Sequence, residues 1–132
     1  MKFVLILIGL LVVAPAVFAS DPETNAACPP PPGALITHAS WYDCCNLRTA
    51  DGTRFNPKNP RIAATVNFPY GTELIVTNLR NCRRLRTVSH DRGPARAMVR
   101  KGRRIDLTRA AARILGFLAE GTAPVSVVVA SN

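Results

Sequence analysis

Short stretches in which apolar and polar residues alternate recur along the chain after residue 35, and they predict β-strands. The predicted strands lie at residues 36–42, 61–66, 73–77, 83–90 and 125–129. The third, Glu-Leu-Ile-Val-Thr, is the clearest, because its alternation would place apolar side chains on one face only. A turn is predicted at residues 78–81, between the third and fourth of these strands.

One helix is predicted near the C-terminal end. Thr108 is a good N-cap residue, residues 110–115 supply an alanine-rich body, and Gly116 supplies the stop. About six short strands and one helix between residues 34 and 130 indicate a mainly β protein. The expected architecture is a small closed barrel rather than a sandwich of two large sheets.

The first 19 residues have the pattern of a signal peptide. Lys2 precedes an uncharged apolar run at residues 3–14, Pro15 interrupts it, and Val-Phe-Ala precedes a cleavage position after Ala19. A retained membrane anchor is the alternative, although this stretch is at the short limit for crossing a bilayer. We therefore expect an exported protein of the periplasm, the extracellular space or the cell wall.

A proline-rich arm at residues 20–35 precedes one domain at residues 36–130. The four consecutive prolines at residues 29–32 favour stiff polyproline II. A spacer is the favoured interpretation of this arm, and a motif for a proline-binding partner is the alternative.

The four cysteines all follow the predicted cleavage position: Cys28, Cys44, Cys45 and Cys82. An even number of cysteines in a small exported domain predicts two disulfides. Adjacent cysteines rarely bridge each other, so the expected pairings join Cys44 and Cys45 separately to Cys28 and Cys82, in an order the sequence leaves open. A metal site is disfavoured, because there is no Cys-x-x-Cys and the two histidines lack zinc-site spacing.

The chain is basic, with 17 Lys and Arg against 8 Asp and Glu and a formal charge of +9. Twelve of the basic residues lie between residues 80 and 113, where only Asp91 and Asp106 are acidic. For an exported protein this excess suggests anionic envelope polymers rather than nucleic acid as partners. A solvated face that only maintains solubility is the alternative.

Six short blocks, in order, resemble the RlpA (rare lipoprotein A) family. They are Ala-Ser-Trp-Tyr at 39–42, Thr-Ala-Asp-Gly-Thr-Arg-Phe at 49–55, Phe-Pro-Tyr-Gly-Thr at 68–72, Val-Thr-Asn-Leu at 76–79, His-Asp-Arg-Gly-Pro at 90–94, and Ile-Asp-Leu-Thr at 105–108 with the helix that follows. The resemblance covers roughly residues 38–130. It implies the double-psi β-barrel that RlpA proteins share with expansins and barwin-like proteins, with six strands and a shallow groove.

The resemblance also implies an activity. Characterised RlpA proteins are endolytic lytic transglycosylases of peptidoglycan, and Asp91 matches the position of an acidic residue in their pattern. Such an acid protonates the glycosidic oxygen between N-acetylmuramic acid and N-acetylglucosamine. It then acts as a base while the muramoyl C6 hydroxyl closes onto C1. Because the attacking group belongs to the substrate, no second carboxylate is needed to activate water. A structural turn at residues 91–94 is the alternative.

Two positions depart from the family pattern. Thr53 stands where active members typically have Glu, and Thr65 stands where they typically have His. Threonine does not exchange protons near neutral pH, but it can hydrogen-bond a sugar. Asp51 could replace the missing Glu only if its side chain entered the groove from a different direction. On a regular strand, the His90 side chain would point away from Asp91.

Aromatic residues provide further candidates for binding. Trp41 and Tyr42 are adjacent on a predicted strand, so one faces the core and the other is available to stack on a sugar ring. Thr53, Thr65 and Arg92 complete the predicted substrate-binding set. Asp106 is expected to be structural, satisfying backbone N–H groups near Thr108.

Two functions follow from the sequence. The first is an exported lytic transglycosylase that acts on peptidoglycan glycan strands, with Asp91 as its catalytic residue. The second is a non-catalytic, expansin-like module that binds the cell wall through the same groove and its arginine-rich face. A monomer without metal or cofactor is expected in both cases, with no nucleic-acid partner.

Overall fold

The structure, a computed structural model, describes residues 28–43 and 47–131. The predicted signal peptide at residues 1–19, the first half of the arm at residues 20–27, and Cys44 and Cys45 lie outside the described residues. The elements are β1 Leu35–Tyr42, β2 Ile62–Thr65, β3 Glu73–Asn78, β4 Arg84–Arg92, α1 Arg96–Arg100, β5 Arg103–Thr108, α2 Arg109–Leu115 and β6 Thr122–Val129. None of the described helices is long and apolar enough to cross a membrane.

The six strands form a closed barrel in the order β1-β5-β2-β4-β3-β6. Two neighbouring pairs, β1 with β5 and β2 with β4, are parallel, and the other four are antiparallel. Closure gives every strand two hydrogen-bonded neighbours, so the barrel presents no free sheet edge. The predicted six-stranded, mainly β barrel is therefore confirmed.

The core fills the barrel with side chains that alternate along the strands. On β3, Leu74 and Val76 are fully buried, whereas the residues on either side of them are only half-buried. Val125 and Val127 of β6 contribute in the same way. Leu115 and Phe117, at the end of α2 and just after it, pack into the same cluster. Removing this apolar surface from water is the main contribution to stability.

The helix α2 begins and ends as the sequence predicts. The Thr108 side chain accepts a hydrogen bond from the backbone N–H of Ala111 at 3.2 Å, which satisfies one of the free donors of the first turn. Gly116 follows with φ of 77°, a left-handed conformation that favours glycine at a helix end.

Two elements were not predicted from the sequence. The strand β5 reads Arg-Arg-Ile-Asp-Leu-Thr, in which charged residues obscure the alternation, and its conformation depends on pairing with β1 and β2. The expectation of one helix is corrected by α1, a single turn of five residues with no side-chain cap and no acidic residue in its first turn. Neither element carries a strong local signal. Strands distant in sequence determine β5, whereas α1 packs against β5, the strand that follows it.

Asp106 has different partners from those the sequence predicts. It lies within β5, where it accepts a hydrogen bond from the Ser40 hydroxyl of β1. It also forms an ion pair with Arg103 at 3.6 Å. Asp106 therefore joins two strands rather than satisfying the backbone near Thr108.

Cys28 and Cys82 lie next to each other. The Cys28 Sγ and the Cys82 backbone N–H both donate to the Asn78 carbonyl oxygen, at 3.5 Å and 2.8 Å. A hydrogen bond with Cys28 and, to a lesser degree, desolvation raise the pKa of the Cys82 thiol. Both are free thiols in this structure. This proximity was not expected from the sequence, which separated the two into different pairings.

Candidate functional site

A tight turn at residues 49–53, here called the 49–53 turn, lies against the end of β4. The Thr49 N–H donates to the Thr53 carbonyl at 2.8 Å, and the Gly52 N–H donates to the Thr49 carbonyl at 3.0 Å. Gly52 has φ of 88°, which this turn requires of its fourth residue. The Asp51 N–H donates to the His90 carbonyl at 3.1 Å, so the turn is joined directly to β4.

Asp91 is half-buried beneath this turn and is surrounded by hydrogen-bond donors. Its Oδ1 accepts from the backbone N–H of Ala50 at 3.0 Å and from that of Arg92 at 2.9 Å. Its Oδ2 lies 3.4 Å from the Tyr42 hydroxyl, which donates to it. Within residues 28–43 and 47–131, Asp91 forms no ion pair, although arginines are numerous in the neighbouring sequence. A carboxylate held in this way has a fixed orientation.

A β-bulge in β4 changes the direction of the side chains near Asp91. Ala63 of β2 pairs with Ser89, but the next residue, Ala64, pairs with Asp91, so His90 is the additional residue on β4. A bulge of this kind bends the strand and redirects a side chain. The simple alternation expected from the sequence, with His90 pointing away from Asp91, therefore does not describe this part of β4. Both side chains contact the 49–53 turn instead.

The contact of His90 is with Asp51. Its Nδ1 lies 2.6 Å from Asp51 Oδ2 and 3.2 Å from the Thr53 hydroxyl. The two side chains are 22% and 19% exposed. Burial by itself would raise the pKa of Asp51, but hydrogen bonds with His90, Thr53 and Thr49 outweigh it and hold the pKa well below the ordinary range. Asp51 is therefore a carboxylate at any physiological pH.

A cleft of about 770 Å³ lies at the end of β4, where Arg92, the residue after Asp91, lines it. It is lined by Thr65, Val66, Phe68, Pro69, Tyr70, Arg92, Gly93, Pro94, Ala95 and Arg96. Tyr70 is 48% exposed, so its ring is available to a ligand in the cleft. Arg92 and Arg96 give the cleft a positive charge.

The predicted site residues divide into three groups. Tyr42 contacts Asp91 and Thr53 contacts the neighbouring His90, while Thr65 and Arg92 line the cleft. Trp41 lies elsewhere, because its ring packs against the core and its Nε1 donates to the Leu118 carbonyl at 3.1 Å. The Arg109 guanidinium also lies 5.8 Å from the centre of the Trp41 ring. Of the adjacent aromatic pair, the structure brings only Tyr42 to Asp91.

Sequence reasoning missed two features of this site. Tyr70 lies in the quoted block at residues 68–72, but nothing local shows that its ring faces a cleft. The Asp51–His90 pair joins residues 39 positions apart, and no spacing in the sequence reveals it. Within the described part of the chain, no cluster of three potential metal ligands is present.

Comparison with known proteins gives sequence relatives for this barrel. No family model matches the chain. A protein of a Nostoc species named probable endolytic peptidoglycan transglycosylase RlpA is 46% identical over 81 residues, which are 61% of this chain and 20% of that protein. A protein of Aquifex aeolicus with the same name is 39% identical over 95 residues, 70% of this chain and 40% of that protein. The chain thus spans between a fifth and two fifths of the length of these two relatives.

Solved structures show the same fold at lower sequence identity. A Streptomyces papain inhibitor has a TM-score of 0.56 at 20% identity, covering 71% of this chain and 91% of the inhibitor. An expansin of Clavibacter michiganensis has a TM-score of 0.52 at 21% identity, covering 75% of this chain and 51% of the expansin. Similarity over the barrel and the shared fold place this chain in the RlpA-like family of double-psi β-barrel proteins.

Proposed function

We propose that this protein is a peptidoglycan lytic transglycosylase that cleaves glycan strands between N-acetylmuramic acid and N-acetylglucosamine. The observation that carries the proposal is Asp91, held by three donors, directly before Arg92, the first residue of β4 to line the cleft. The barrel around it is 39–46% identical to the two proteins named as peptidoglycan transglycosylases. The cleft is open, as a long polymer requires.

The chemistry requires one proton to be delivered and one to be removed. The bond between muramoyl C1 and the glycosidic oxygen breaks, and that oxygen takes a proton. The muramoyl C6 hydroxyl attacks C1 and loses its proton, which leaves a 1,6-anhydro end. Asp91 is the group at the site that carries these protons, and no water is consumed. Thr53 is half-buried and can hydrogen-bond a sugar hydroxyl without carrying a proton, whereas Thr65 is buried and its hydroxyl accepts from the Asn67 N–H at 3.3 Å.

The cleft has the chemistry of a site for glycan strands that lack stem peptides. Tyr70 offers a ring face on which the C–H face of a sugar can stack. A strand without stem peptides carries a free lactyl carboxylate on each muramoyl residue. Arg92 and Arg96 line the cleft and can pair with these carboxylates. The exposed arginines outside the cleft would add weaker attraction to other anionic envelope polymers.

Export and disulfide formation are part of the same proposal. Peptidoglycan lies outside the cytoplasm, and the apolar N-terminal segment provides a route to it. The proximity of Cys28 to Cys82 favours a direct bridge between them, which would leave Cys44 and Cys45 to other partners. Peptide mapping of secreted protein under non-reducing conditions should therefore recover Cys28 and Cys82 in one linked fragment. Recovery of either one linked to Cys44 or Cys45 would contradict that pairing and support the separate pairings that the sequence predicts.

A second function, glycan binding without catalysis, is supported by a separate observation. Thr53 and Thr65 provide no titratable group, and a solved expansin variant with this fold is in complex with cellohexaose. An open cleft with Tyr70 and two arginines would serve binding equally well.

Product analysis on purified glycan strands without stem peptides distinguishes the two functions. Protein beginning at Ser20, prepared under oxidising conditions, is incubated with the strands, and soluble products are identified by mass spectrometry. Fragments ending in 1,6-anhydromuramic acid are expected. If the protein pellets with the strands but releases no fragments, the lytic activity is excluded and the binding function stands.

A further inference from the structure

His90 and Asp51 form a second pair of titratable side chains at the Asp91 site, and the proposed function does not yet use them. The distance between the two side chains is short, at 2.6 Å from Nδ1 of His90 to Oδ2 of Asp51. It is anchored at both ends. The Asp51 backbone N–H donates to the His90 carbonyl, and Asp51 Oδ1 accepts from the Thr49 hydroxyl at 2.7 Å and from the Thr53 N–H at 3.0 Å.

The bulge in β4 and the 49–53 turn bring this pair to the catalytic carboxylate. His90 is the additional residue of the bulge, immediately before Asp91. Consecutive residues of the turn contact the two side chains, since Ala50 donates to Asp91 and Asp51 binds His90. A single rigid turn therefore positions both groups.

The Asp51 contact also fixes which nitrogen of His90 faces outward. An ionised carboxylate accepts a hydrogen bond, so Nδ1 carries a proton and donates it to Asp51. The other nitrogen, Nε2, forms no hydrogen bond with any residue that the structure describes. With the side chain 22% exposed, Nε2 is the position from which a proton can be given to a ligand.

Asp91 has the complementary arrangement. Among the described residues, its three hydrogen-bond partners are all donors: two backbone N–H groups and the Tyr42 hydroxyl. An ionised carboxylate can accept a hydrogen bond from all three donors. A protonated carboxyl group carries an O–H, so one of its oxygens would be a donor that faces another donor. The environment of Asp91 therefore suits a group that begins the reaction by accepting a proton.

We propose that His90, oriented by Asp51, donates a proton from Nε2 to the glycosidic oxygen, while Asp91 takes the proton of the muramoyl C6 hydroxyl. This inference rests on the proposed lytic activity and divides between two residues the proton transfers that Asp91 alone would otherwise perform. The C1–oxygen bond breaks as the leaving oxygen gains the Nε2 proton, and the C1–O6 bond forms as Asp91 gains the C6 proton. Exchange of one proton with water restores both residues.

The groups around His90 determine how its protonation affects the rate. Asp51 faces it from the turn, and Asp91 and Arg92 follow it on β4. Tyr42 of β1 reaches this cluster through Asp91, and β2, which pairs with β4 here, has no titratable side chain. Because the mechanism needs one proton donor and one proton acceptor at the same time, the rate should pass through a maximum, with a decline on the acid side and another on the alkaline side.

The test is the rate of anhydro-end formation between pH 5 and 9 for the parent, His90→Gln and Asp51→Asn, with His38→Gln as control. His38 is the only other histidine of the chain and is exposed on β1. His90→Gln should lower the rate about 100-fold and abolish the alkaline decline. Asp51→Asn should lower the rate but keep that decline, because the imidazole remains. His38→Gln should match the parent.

A role of His90 that is only structural predicts a different result. Its loss would then change the melting temperature but not the shape of the pH profile. A rate for His90→Gln within about threefold of the parent, with the alkaline decline intact, would overturn the inference and leave the lytic activity standing. If His90→Gln does not fold, the rate for Asp51→Asn decides instead, and a rate equal to that of the parent would overturn the inference. A parent protein that forms no anhydro ends defeats the proposed function itself, and this inference with it.

Discussion

Replacing Asp91 by Asn is expected to reduce the formation of 1,6-anhydro ends by at least 100-fold. The amide is nearly the same size as the carboxylate, and its oxygen can still accept from the Ala50 and Arg92 backbone N–H groups. It cannot accept the proton of the C6 hydroxyl, and loss of a general base typically costs 100- to 10,000-fold in rate. The rate is measured by mass spectrometry of products released from strands without stem peptides.

Binding to the strands separates a loss of chemistry from a loss of structure. The fraction of Asp91→Asn that pellets with insoluble glycan should equal that of the parent, because the cleft residues Tyr70, Arg92 and Arg96 are unchanged. Asn78→Asp is unsuitable as a control because its amide donates to the Leu115 carbonyl in the core. Asp43→Asn is a better one, because Asp43 is exposed and pairs only with Arg109 at 3.4 Å among the described residues. Asp91→Asn activity close to that of the parent would show that another group performs the proton transfer.

Replacing Gly93 by Ala is expected to destabilise the barrel and to weaken binding in the cleft. An added Cβ would lie 2.6 Å from the Val66 backbone nitrogen, 2.7 Å from its Cγ1 and 2.8 Å from the Thr65 carbonyl carbon. Two of these three atoms are backbone, so no change of rotamer can relieve the contact. Overpacking of this kind costs about 1–3 kcal/mol. For a domain of this size, that corresponds to a fall in melting temperature on the order of 10 °C.

The effect on binding follows from the position of the clash. Thr65 and Val66 line the same cleft as Gly93, so a backbone shift there changes the shape of the cleft. Ala97→Ser, which adds one atom on the exposed surface of α1, is the matched control and should leave both the melting temperature and pelleting unchanged. A melting temperature for Gly93→Ala within about 2 °C of the parent would mean that the backbone at Thr65 and Val66 can shift with little loss of stability.

These two substitutions affect different properties of one site. Asp91 provides the chemistry, whereas Gly93 allows the chain after β4 to approach the end of β2 closely enough to form the cleft. The first should change the rate without changing stability. The second should change stability and binding together.

The strands β1, β3 and β6 and the helix α2 could be predicted from the sequence because each has a local cause. Alternating apolar residues give the strands one buried face, and Thr108 and Gly116 define the ends of α2. β5 could not be predicted in this way, since its charged residues conceal the alternation and its conformation depends on β1 and β2.

Within the site, the sequence by itself determined which residue types were available: one acidic residue at position 91, threonines at 53 and 65, and an excess of arginine. Only the tertiary structure decided which of them meet. The bulge at His90 depends on the pairing of β4 with β2, and the contact with Asp51 depends on where the 49–53 turn lies against the barrel. Strand alternation already separates Trp41 from Tyr42, but only the closed barrel decided that Trp41 packs against the core and that Tyr42 meets Asp91. Local propensity acts over a few residues, whereas these contacts join positions 26 to 77 residues apart, so they are decided by how the strands pair.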